Sequence, residues 1–200
     1  MPFNPAFLAL AADPATITPV RLWQALPRED RIAAILSALD SGDSQGMRAW
    51  FVDLLAGKPG GFRAATIRKW SKEELAAKVA REPLTMVHGL LVDLHFPGRA
   101  HIQAAFYDDL GIPHDKGRTD ESVAPTVVPQ EKIAPAADRL IEKFPDEQGL
   151  FYLLTIWALD STLWAGLDAW LRDFAARLLG PPGPQASGPG GPPRPAVLGR

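Results

Sequence analysis

All four histidines of this 200-residue chain fall between positions 88 and 114: His88, His95, His101 and His114. Two aspartates, Asp108 and Asp115, lie in or beside the same stretch. Imidazole and carboxylate together suit Zn, Mn or Fe. His88 and His95 are one heptad apart, so on a helix they share a face, and His101 and Asp108 stand in the same relation further on. If the two helices pair, His95, His101 and Asp108 meet along the seam. His88, His95, His101, Asp108, His114 and Asp115 are therefore the candidate metal ligands. No cofactor is expected, the alternative being a divalent transition metal held by these residues. No HExxH motif reinforces the set, and the bland expectation is that each histidine has its own surface or capping role.

In chain order, His88, the His114-Asp115 pair and Asp160 resemble the pattern of the HD-domain phosphohydrolases, all-α metalloenzymes. The resemblance implies metal-dependent hydrolysis by those residues. The chain departs from the family at the pair itself. That family carries the pair on a helix, whereas here it follows Gly111-Ile112-Pro113 and is expected in a turn. The adjacent acids Glu73-Glu74, Asp108-Asp109 and Asp120-Glu121 point about 100° apart on a helix, which suits solvated faces better than paired acid–base work. GxSxG, GxxxxGK[ST] and GxGxxG are all missing. So is cysteine, which removes thiolate chemistry and disulfides and fits a cytoplasmic protein. A net charge of -2 with scattered Lys and Arg argues against a nucleic-acid partner.

The elements that would hold these residues are helices throughout. Thr18-Pro19 pairs a hydroxyl N-cap with proline at the first helical position. Ile32, Ile35, Leu36 and Leu39 follow helical spacing, as do Met47, Trp50, Phe51, Leu54 and Leu55. Ser71-Lys72-Glu73-Glu74 is a capping box. Helices are expected over 83–96 and 99–110, broken by Pro97-Gly98 and ended by Gly111, then over 130–144, 145–159 and 163–179, the last capped by Asp160-Ser161-Thr162. No stretch alternates as a strand would. The fold class is all-α, an irregular bundle or array of helical hairpins, with a disordered Pro/Gly-rich C-terminal tail.

Residues 1–17 read as an extended N-terminal arm with one apolar turn near 7–12, and 18–179 as the helical domain. Its possible halves are 18–111 and 129–179, joined by the polar loop 112–128; the tail is 180–200. The first Arg is Arg21, so the start lacks the basic region of a signal peptide. Leu150 to Phe174 is rich in aromatics but carries Asp160 and Asp168, which oppose membrane insertion. Its tryptophans, Trp157, Trp164 and Trp170, are the candidate partner-binding residues. The expected function is non-enzymatic: a cytoplasmic interaction or scaffold module whose partner is another protein or a second copy. The alternative is a helical metal-dependent hydrolase built on the 88–115 cluster.

Overall fold

The computed structural model describes residues 3–40, 44–82, 84, 87–95, 99–119, 128–144 and 147–180. Among them the chain is all-α, with no strand and a single β-bridge between Asp115 and Arg118. In order the helices are α1 (Pro5–Ala12), α2 (Pro19–Ala25), α3 (Arg28–Asp40), α4 (Ser44–Ala56), α5 (Ala64–Ile67), α6 (Lys72–Val79), α7 (His88–His95), α8 (Ala100–Leu110), α9 (Gln130–Lys143), α10 (Glu147–Leu159) and α11 (Leu167–Leu179). A short 3-10 turn, Pro14–Thr16, follows α1. The Pro97-Gly98 break, residues 120–127 of the polar loop and the tail from 181 onward lie outside the described residues.

The core is built around α10. Leu150, Phe151, Tyr152, Leu153, Leu154 and Thr155 are consecutive and all buried, so two turns of this helix have no solvent-facing side. Such a helix must be surrounded. The surrounding elements are α1, α2, α7, α8 and α9. The stretches before and after the polar loop thus feed one hydrophobic cluster.

The N-terminal segment differs from the expected arm: residues 5–12 are α1, a core helix. Its start is fixed locally. Pro5 occupies the first helical position, and Asn4 Oδ1 accepts the Ala6 N–H at 2.9 Å. Asn4 also donates its side-chain amide to the Ala25 carbonyl, which ties α1 to the end of α2. Phe7, Leu8, Leu10 and Ala11 are buried, and α1 lies along α11. Its sequence shows no apolar/polar period because the exposed side, Ala6, Ala9 and Ala12, is built of alanines.

The caps of α2 and α6 follow the local pattern. Thr18 Oγ1 accepts the Arg21 N–H, and Ser71 and Glu74 exchange both bonds of the capping box. Two other features are less regular. Pro135 stands inside α9, where it removes one N–H from the helical ladder. α11 begins at Leu167, four residues later than expected. There Asp160 Oδ1 accepts the N–H groups of Thr162 and Leu163, while the Gln130 amide bonds both the Leu163 carbonyl and the Gly166 N–H. A Cβ on Gly166 would stand 2.9 Å from the Gln130 carbonyl oxygen, so glycine permits the close approach of α9.

Phe151 is a sensitive point of this core. Its ring stacks on Phe7 at 5.5 Å and packs on His95 at 4.9 Å, with the Arg99 guanidinium over it at 5.6 Å. Phe151→Ala is expected to cost about 3–5 kcal/mol, measured as the shift in urea denaturation.

Candidate interaction surface

The histidines that cluster in the sequence go to different places. His88 opens α7 and is exposed. His101 is also exposed, with its ring 5.5 Å from that of Phe144. His95 is buried, 3% exposed, at the other end of α7 from His88. Among the described residues, no group of three or more His, Asp or Glu side chains is placed to hold a metal ion.

The surroundings of His95 determine its protonation. Thr155 Oγ1 donates to the Phe151 carbonyl at 2.8 Å, so its lone pair faces His95 Nε2 at 3.0 Å. His95 therefore carries its proton on Nε2 and donates it to Thr155. Nδ1 is bare and buried, without a hydrogen-bond partner among the described residues. Burial first, and the Arg99 charge second, push the imidazole pKa down to about 3. The ring is a neutral core group linking α7 to α10. Tyr152 beside it has its hydroxyl pKa pushed well up by burial and by nearby Tyr107. Gln103 donates to the Tyr107 hydroxyl at 3.0 Å.

His114 is used as a clamp. Its Nδ1 accepts the Gly117 N–H at 2.9 Å, so Nε2 carries the proton that faces Asp108 Oδ1 at 3.1 Å. Both nitrogens of the imidazole and one oxygen of Asp108 are engaged in fixing the turn after α8. Asp115 is exposed in that turn and bonds Arg118 through its backbone. Gly117 has φ 86° and lies so close to α8 that a Cβ would meet the Ala100 carbonyl oxygen at 2.5 Å.

Of the three candidate tryptophans, Trp164 is buried against Phe106. Trp157 is half-buried and donates its Nε1–H to the Pro14 carbonyl at 2.9 Å. Trp170 stacks on Phe174 and donates to Asp138 Oδ1 at 2.9 Å. It lines an open groove of about 770 Å³ between α9 and α11, with Ala134, Gly166, Ala169 and Ala176 as small neighbours and Asp138, Asp173 and Arg177 as charged ones.

A second surface feature lies at residues 62–70. Only residues 64–67 form a helix, α5. Phe62 precedes it and is 51% exposed. The turn that presents Phe62 is set by its backbone: Gly60 has φ 73°, and a Cβ on Gly61 would stand 2.5 Å from the Leu55 carbonyl oxygen. Phe62 meets Trp70 edge to face at 5.0 Å, and the Lys78 ammonium lies 5.4 Å and 6.0 Å from the two ring centres. The Ser71 capping box holds the chain just beyond Trp70, and Arg48 donates to the Trp70 carbonyl. The signal was in the sequence as a local charge excess. Residues 57–81 hold seven Lys and Arg against Glu73 and Glu74, in a chain of net charge -2.

No family model, curated protein or solved structure matches the chain. No helix among the described residues is long and apolar enough to cross a membrane.

His95 makes stability depend on pH with a definite sign. Its folded pKa, about 3, lies below the unfolded value of about 6.5, so only the unfolded chain takes up the proton between them. The stability present above pH 6.5 is lost as pH falls, by up to about 1.4 kcal/mol per pH unit for this one group. Urea denaturation from pH 7 to pH 4 is expected to show a shallower pH dependence in His95→Gln than in the wild type; parallel curves would contradict the assignment.

Proposed function

We propose that the protein is a non-enzymatic helical module, cytoplasmic in location, that works by docking another protein. The Phe62–Trp70 patch is its anchor. The observation that carries this reading is the exposure of Phe62 on a turn of fixed conformation. A large apolar ring held outward by Gly60 and Gly61 and braced by Trp70 pays little ordering entropy on binding. The use of the polar groups inside the fold points the same way. His95 is locked in the core, and both nitrogens of His114 are engaged. The cysteine-free composition fits a reducing compartment.

Tagged wild-type protein and Phe62→Ala are to be expressed in the source cells and their bound proteins compared. The wild type is expected to retain a protein partner in near-stoichiometric amount, and Phe62→Ala to lose it about tenfold or more, the range of a hot-spot aromatic. Phe62 is half-exposed, so its removal should leave the helical circular dichroism unchanged. Equal recovery by both proteins contradicts the reading. So does turnover by the purified protein of phosphoester, ester or peptide substrates with Zn, Mn or Fe supplied.

A further inference from the structure

The Phe62–Trp70 patch is apolar at its centre and positively charged around it. Arg63, Arg68 and Lys69 adjoin the two rings in sequence and are exposed, and none has an ion pair among the described residues. The nearby Lys58 and Lys72 differ: they are paired with Glu82 and Asp40. Five of the seven cations of residues 57–81, Arg63, Arg68, Lys69, Lys78 and Arg81, thus have no ion pair among the described residues. They sit in the segment with an excess of five positive charges, although the whole chain is net negative. Charges left free around an apolar anchor favour a partner of opposite sign, by steering its approach and by pairing at the rim of the contact.

We infer that this patch takes an acidic peptide segment of a protein partner, with an apolar side chain of that segment against Phe62 and its carboxylates on Arg63, Arg68 and Lys69. The inference rests on the docking reading above and specifies its partner. The ring geometry favours a peptide over a nucleic acid. The Lys78 ammonium already lies over both rings, and they meet edge to face. Successive bases need open ring faces on which to stack.

The test is fluorescence anisotropy with a labelled peptide that alternates Glu-Asp pairs with leucine. A Gln-Asn-Leu peptide of equal length and a labelled oligothymidylate serve as comparisons. The acidic peptide is expected to bind at least about tenfold more tightly than either, and its binding should weaken with added salt because the pairs are exposed. Arg63→Glu with Lys69→Glu should reduce binding about tenfold or more while the circular dichroism spectrum is retained, and Phe62→Ala should reduce it too. Equal binding of the neutral peptide, tighter binding of the oligothymidylate, or no response to the charge reversal overturns the inference. If the acidic peptide fails while the cellular partner still requires Phe62, the acidic segment is wrong and the docking reading survives. If Phe62→Ala alters neither partner recovery nor peptide binding, both fall.

Discussion

A helix with no polar side must be wrapped, and α10 imposes that requirement on this protein. Six consecutive buried residues, Leu150 to Thr155, need neighbours all around. The helices α1, α2, α7, α8 and α9 supply them. The arrangement leaves little room for polar groups in the middle. Some of those that are there bond their neighbours: His95 gives its proton to Thr155, Thr155 gives its own to the Phe151 carbonyl, and Gln103 bonds Tyr107, while His95 Nδ1, the Tyr152 hydroxyl and Trp23 Nε1 have no partner among the described residues. A neutral imidazole in this position behaves as a shaped aromatic with one hydrogen bond, and its packing on Phe151 and Tyr152 shows it.

Helix starts and stops were readable wherever a side chain does the job locally. Thr18-Pro19, the Ser71–Glu74 box and Gly111 are all where the sequence puts them, because each depends on residues within four positions. What escaped is set by distant neighbours. α1 has prolines at Pro5 and Pro14 and no apolar period, so nothing local announces it; contact with α10 and α11 makes it a core helix. The delayed start of α11 depends on Gln130, well before it in the chain. The helix expected over 130–144, by contrast, is found as α9 with Pro135 inside it and Ile133, Ala136, Ala137 and Leu140 buried.

The histidine cluster shows a related limit. Heptad spacing correctly implies that His88 and His95 share a face of α7, but it carries no information on depth. One end of that face is at the surface and the other is in the core. Asp108 and His114, by contrast, were placed among candidate ligands and do meet, with Gly117 as the third member of a turn clamp. At the surface the argument reverses. Tryptophans carry the obvious signal, yet Trp164 is interior, and among the described Phe, Tyr and Trp residues the exposed one is Phe62 in a glycine turn.

The contact of α1 with α11 joins segments from opposite ends of the described chain. During synthesis α1 emerges well before α11, with Phe7, Leu8 and Leu10 bare, and this main partner is made more than a hundred and fifty residues later. Closing a loop of that length is an entropic cost met only when the last helix is available. The interior of this protein is thus sealed late, and a chain interrupted before α11 would leave the α1 side of the core open to water.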